Sequence, residues 1–143
     1  MLSDQDNQLL FVYGTLRRLC GSHYHQILNK HADFISEAHF QGCLFNVSHY
    51  PAVIDSKDPE KLVLGEVYKL NDPKLVFDLL DDYEECCAKF SEPHEYKREL
   101  RTIHLDQHQT TIAWIYLYNL PTKDLIQINS GNYLHYLLNQ NTK

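Results

Sequence analysis

The sequence has little of what marks membrane, secreted or nucleic-acid-binding proteins. No run approaches the roughly 20 apolar residues of a membrane-spanning helix, and residues 1–7 are acidic and polar, unlike the basic and apolar segments of a signal peptide. The 13 Lys and Arg residues against 19 Asp and Glu residues give a net charge of −6, the wrong sign for neutralising phosphates. We therefore expect a cytoplasmic protein that binds neither nucleic acid nor a membrane.

Cysteine is scarce, and the spacing of the cysteines does not suit disulfide bonds. The four cysteines form no CxxC pair, and Cys86 and Cys87 are adjacent, so reduced thiols are the simplest interpretation. The nine histidines include no HExxH motif or other ligand spacing, and we expect no metal and no other cofactor. Because no repeat, low-complexity stretch or linker interrupts the chain, we predict one domain, 1–143. The sequence contains no signal that selects an oligomeric state.

The hydrophobic pattern predicts an α+β domain. Helical spacing and capping residues predict helices that begin at Ser22, Pro73 and Gly131. Within the strands, Gly42 suggests a bulge and Gly65 a close backbone approach. Strands and helices do not alternate regularly, so a curled, mostly antiparallel or mixed sheet fits better than a doubly wound parallel sheet. Continuous or alternating apolar residues place the strands at 9–13, 34–47, 49–54, 62–70, 96–105 and 110–118.

The end of the second predicted helix is a candidate site for proton transfer. Four carboxylates crowd residues 81–85, where the helix dipole disfavours anions. Glu84 follows Val76 and Leu80 at steps of four, so it lies on or beside the apolar stripe, where desolvation raises a carboxylate's proton affinity. A buried Glu84 paired with Arg98 would leave the same pattern, and a solvated acidic turn is the plainer alternative. The predicted stripe consists of Leu75, Val76, Leu79, Leu80 and Tyr83.

The end of the first strand is a second candidate site. Gly14 follows Tyr13 there, and a glycine at a strand end leaves backbone N–H groups free to bind an anion or a carbonyl oxygen. The alternative is an ordinary turn at Gly14 with Arg17 and Arg18 in solvent.

Six blocks in order resemble the gamma-glutamylcyclotransferase-like family, especially its gamma-glutamylamine cyclotransferase branch. The blocks are FVYGTLR at 11–17, YPA at 50–52, GEVY at 65–68, LDDYE at 80–84, YKR at 96–98 and AWIY at 113–116. The resemblance implies a small closed or partly closed mixed β-barrel with flanking helices. It implies Glu84 as the general acid/base, and the substrate-binding residues it implies are Tyr13, Gly14, Thr15, Leu16, Tyr96 and Arg98.

The activity that the resemblance implies is an intramolecular aminolysis. The α-amine of a small γ-glutamyl substrate attacks its own γ-carbonyl, which forms 5-oxoproline and releases an amine or an amino acid. The chain departs from the family after Glu84, because Glu85, Cys86 and Cys87 follow where the family usually has Gly. A non-catalytic small-molecule binding module on the same barrel is the alternative, and a metal-dependent His/Cys site is a third hypothesis.

Overall fold

A computed structural model of the chain describes residues 8–13, 29–47, 50–83, 96–105 and 108–140. Residues 29–31 are helical and lead into the second strand, and the rest of the helix predicted from Ser22 lies outside the described residues. The strands and longer helices are β1 (Leu9–Val12), β2 (Ala32–Val47), β3 (Tyr50–Asp55), β4 (Leu62–Leu70), α1 (Pro73–Tyr83), β5 (Tyr96–His104), β6 (Thr110–Tyr118), β7 (Ile126–Gln127) and α2 (Tyr133–Gln140).

Five of these strands close into a barrel. Hydrogen-bonded neighbours follow the order β2, β4, β1, β6, β5, and β5 returns to β2 at the pair His39 and His104. β1 runs parallel to β6, with Leu10 beside Trp114, while the other neighbours in the ring are antiparallel. The α+β prediction with a closed mixed barrel is therefore confirmed. The extent of the domain over 1–143 stays a prediction.

The barrel strands carry two separate cores, because successive side chains point to opposite faces. Phe11 and Ile115 belong to the cluster that fills the barrel interior. Leu10 and Tyr116, one residue along in each strand, belong to a second cluster that includes residues of α1. Helix α1 thus packs on the outer face of the barrel.

The two strand glycines, Gly65 and Gly42, differ in how well they fit the predictions from the sequence. A Cβ on Gly65 would lie 2.2 Å from the carbonyl oxygen of Val12 and 2.6 Å from the ring of Phe11, which confirms the predicted close approach. The bulge predicted at Gly42 is wrong. Gly42 pairs in register with β3, and the irregularity in β2 lies between Phe34 and Ser36, at the other end of the strand.

Helix α1 begins as predicted but buries a different face. The N–H of Leu75 donates to Oδ1 of Asp72 at 3.3 Å, and Pro73 is the first helical residue. Val76 and Phe77 are buried, whereas Leu75 and Leu79 are 38% and 42% exposed. The predicted apolar stripe is therefore wrong in part. Leu75 and Leu79 do not lie on the buried face, which includes Phe77 instead.

The remaining predicted elements are confirmed within two residues at their ends. β5 and β6 form the predicted hairpin, in which the N–H of Leu105 donates to the carbonyl of Gln109 at 2.7 Å. Helix α2 follows Gly131, whose φ is +69°. The described residues contain no helix of the length and apolarity that crossing a membrane requires.

Candidate active site

Tyr13 follows the last residue of β1 and points into the barrel. It shares the interior core with Phe11 and is 6% exposed. Its hydroxyl donates to the carbonyl oxygen of Tyr116 on the neighbouring strand. The side chain of Tyr13 is thus held inside the barrel by its packing and by this hydrogen bond.

The pairing between β1 and β4 ends where this segment begins. Val12 is the last residue of β1 in register, opposite Glu66. Beyond it, the N–H of Leu64 donates to the carbonyl of Gly131 at 2.8 Å, so the next position beside β4 belongs to the segment before α2. The chain therefore stops acting as a strand after Val12, as the glycine in the sequence predicts. Three of the site residues predicted here lie outside the described residues: Gly14, Thr15 and Leu16.

Arg98 lies on the outer face, under α1. Its guanidinium carbon is 4.0 Å from the ring centroid of Phe77 and 4.7 Å from that of Trp114. The two rings meet edge to face at 5.8 Å. Such contacts between a cation and aromatic faces are favourable, by about 0.5–2 kcal/mol depending on desolvation.

Tyr96 lies on the same face of β5 as Arg98. It is 3% exposed, and its hydroxyl donates to the carbonyl of Pro51 at 2.6 Å. Its ring meets that of Tyr118 edge to face at 5.5 Å. The structure thus brings Tyr96 and Arg98 to the outer face, whereas the side chain of Tyr13 points to the inner one.

Helix α1 begins near the start of β1 and packs on the outer face through Val76 and Phe77. Pro73 follows β4 at the level where β1 begins, and Phe77 contacts Trp114, which lies beside Leu10. The six residues that follow Phe77, up to Tyr83, add about 9 Å of helix at about 1.5 Å each. Glu84, the residue after the helix, lies outside the described residues.

Glu66 is a buried carboxylate that the sequence reasoning did not single out. It is 1% exposed, and Tyr68 donates its hydroxyl to Oε1 at 3.0 Å. It lies opposite Val12, at the level where β1 ends. The signal was present in the sequence, because Glu66 interrupts an otherwise apolar stretch between Gly65 and Val67.

The histidines and cysteines form no metal-binding cluster within the part of the chain that the structure describes. His39 and His104 stack at 5.3 Å where the barrel closes. No three His, Cys, Asp or Glu side chains among those described are arranged to hold a metal ion. Cys43 is a free thiol.

Comparison with known proteins identifies the family. The chain matches the family described as "Gamma-glutamyl cyclotransferase, AIG2-like" over residues 10–135. Gamma-glutamylcyclotransferase family protein YtfP of Escherichia coli K12 is 32% identical over 126 residues, which cover 87% of this chain and 95% of that protein. The chain therefore belongs to the gamma-glutamylcyclotransferase, AIG2-like family, and the resemblance in its motifs is confirmed.

Solved structures share the fold. YkqA of Bacillus subtilis is similar with a TM-score of 0.71 and 28% identity, over 96% of this chain and 43% of that chain. The AIG2-like protein of Mus musculus is similar with a TM-score of 0.65 and 22% identity, over 88% of this chain and 87% of that chain. This chain therefore spans less than half of YkqA, and the likeness to the mouse protein is one of fold.

Proposed function

We propose that this protein is an enzyme that cyclises γ-glutamyl compounds to 5-oxoproline and releases an amine or an amino acid. The observation that carries the proposal is the family match over residues 10–135, which includes both the segment after β1 and the segment after α1. The packing of α1 on the barrel through Phe77 and Trp114 supports it, because Glu84 follows this helix in the sequence.

The proposed acid/base is Glu84. The substrate's α-ammonium loses a proton before the amine attacks the γ-carbonyl, and the leaving amine gains one as the C–N bond breaks. One carboxylate between the two nitrogens serves both steps. Glu84 comes seven residues after Phe77 and eight after Val76, and in a continuous helix that spacing returns to the same face.

We propose that the binding residues lie around the end of β1. Main-chain N–H groups of Tyr13, Gly14, Thr15 and Leu16 would hold the substrate carboxylate or the developing oxyanion. Tyr96 and Arg98 complete the proposed set from β5. The faces of the Arg98 guanidinium contact two rings, and its N–H edge is the part suited to a carboxylate.

The reaction as proposed uses no cofactor, because the nucleophile is part of the substrate and is held near its target by binding. We also propose a cytoplasmic location. The sequence supports it, because the four cysteines form no CxxC pair and reduced thiols are their simplest interpretation.

The direct test is 5-oxoproline release from a panel of γ-glutamyl amines and γ-glutamyl amino acids. Glu84→Gln should abolish turnover while the thermal midpoint stays near that of the wild type. Glu60→Gln, which removes an exposed carboxylate, should retain wild-type turnover. Full activity in Glu84→Gln would exclude this acid/base. Ligand binding by the wild type without product would favour the non-catalytic binding module instead.

A further inference from the structure

Arg98 joins helix α1 to the barrel wall. Its guanidinium carbon is 4.0 Å from the ring centroid of Phe77 on α1 and 4.7 Å from that of Trp114 on β6. The rings are inclined by 71° and their centroids are 5.8 Å apart. The cation therefore lies in the corner between a helix residue and a strand residue and contacts both.

The described side chains of α1 offer few other contacts that fix the helix. Val76 and Phe77 are buried, whereas Leu75 and Leu79 are 38% and 42% exposed. Val76 has an aliphatic side chain, and its packing contacts do not favour one orientation of the helix. The Phe77 contact is directional, because a planar guanidinium stacks on ring faces and is held by its strand.

We infer that Arg98 is a positioning residue, which fixes α1 over the barrel through Phe77 and Trp114. The inference rests on the proposed function, in which Glu84, the residue after the helix, transfers the proton. A general base acts only within hydrogen-bond reach of its proton. A shift of α1 on the outer face changes that reach, whereas the main-chain groups proposed to bind substrate after β1 stay in place.

Two substitutions separate positioning from substrate binding. Phe77→Leu keeps an apolar side chain and removes the ring, and we expect kcat to fall roughly ten- to a hundred-fold with KM nearly unchanged. Arg98→Lys keeps the charge and removes the planar guanidinium. We expect it to lower kcat as well and, because Arg98 is also proposed to bind substrate, to raise KM. The kcat of the double variant should not fall below that of the less active single variant, because both substitutions break the same contact. Phe77→Met replaces Phe77→Leu if the latter does not fold.

Arg101→Lys is the matched control. Arg101 lies on the same strand and donates to both carboxylate oxygens of Asp55, at 2.9 and 3.0 Å, away from α1. We expect wild-type kcat from it. Wild-type kinetics in Phe77→Leu would overturn the inference, and a raised KM with unchanged kcat in Arg98→Lys would then leave Arg98 with substrate binding alone.

A second measurement does not depend on turnover. Trp114 is the only tryptophan in the sequence, so intrinsic tryptophan fluorescence reports the surroundings of this one side chain. We expect acrylamide to quench Trp114 more strongly in Phe77→Leu and Arg98→Lys than in the wild type or Arg101→Lys. Unchanged quenching in both variants overturns the inference. If the wild type forms no 5-oxoproline but the two variants still show stronger quenching, the helix contact is supported and the proposed function is overturned.

Discussion

Tyr68 donates its phenolic hydroxyl to Oε1 of Glu66 at 3.0 Å, two residues apart on one face of β4. Both residues are buried, at 3% and 1% exposure. Removing a carboxylate from water is costly, and a hydrogen bond from a neighbouring hydroxyl offsets part of that cost. The pair lies opposite Leu10 and Val12, so it stabilises the barrel beside the segment proposed to bind substrate.

Tyr68→Phe should destabilise the protein by about 1–3 kcal/mol, because the buried carboxylate of Glu66 loses a donor. The midpoint of urea denaturation measures this effect. Tyr136→Phe is the matched control, since it removes the hydroxyl of a half-buried tyrosine on α2 and should change stability by less than about 0.5 kcal/mol. Equal effects in the two variants would show that the hydrogen bond to Glu66 contributes nothing measurable.

The sequence predicts most strands of this fold because their patterns are simple. Leu62–Leu70 and Thr110–Tyr118 match their predicted ranges, since each apolar run has a clear boundary on both sides. The buried face of α1 was harder to choose. Six of the eleven residues of α1 are Leu, Val, Phe or Tyr, so periodicity does not decide between Leu75 and Phe77. Packing against Arg98 and Trp114, which come much later in the chain, decides it.

The candidate site was predictable only as a set of residue types. The sequence indicates that β1 ends near Gly14, and the register confirms that its pairing stops at Val12. It does not show that Tyr13 and Arg98 point to opposite faces, because that depends on how a parallel strand pairs with β1. The role of Arg98 between two rings was equally hidden, since nothing local links Phe77 to β5.

Gly65→Ala should destabilise the protein by about 1–3 kcal/mol or more, as overpacking a tight contact does. The added Cβ would meet the backbone carbonyl of Val12 at 2.2 Å, and backbone cannot rotate away as a flexible side chain can. Because the contact is with the last residue of β1, we also expect lower turnover below the melting transition. Thermal unfolding and 5-oxoproline release measure the two effects. Wild-type stability would show that β1 and β4 separate at little cost.

Tyr13→Phe should lower stability and leave KM nearly unchanged. The Tyr13 hydroxyl donates to the carbonyl of Tyr116 inside the barrel, so its loss should cost about 0.5–1.5 kcal/mol. Proposed substrate binding at this position uses the main chain, which the substitution keeps. Denaturation and steady-state kinetics on one γ-glutamyl substrate test both parts. A raised KM at wild-type stability would show instead that the hydroxyl contacts the substrate.

His108→Gly should stabilise the protein by up to about 1 kcal/mol. His108 has a φ of +62° in the exposed connection between β5 and β6, a conformation that is strained for a residue with a Cβ and relaxed for glycine. Glycine also makes the unfolded chain more flexible, which reduces the gain.

His108→Ala is the control, because it removes the same imidazole and keeps the Cβ, so it should be no more stable than the wild type. Urea denaturation of the three proteins, with equal slopes, gives the order. If His108→Ala were as stable as His108→Gly, the gain would come from loss of the imidazole, and the backbone at 108 would store no strain.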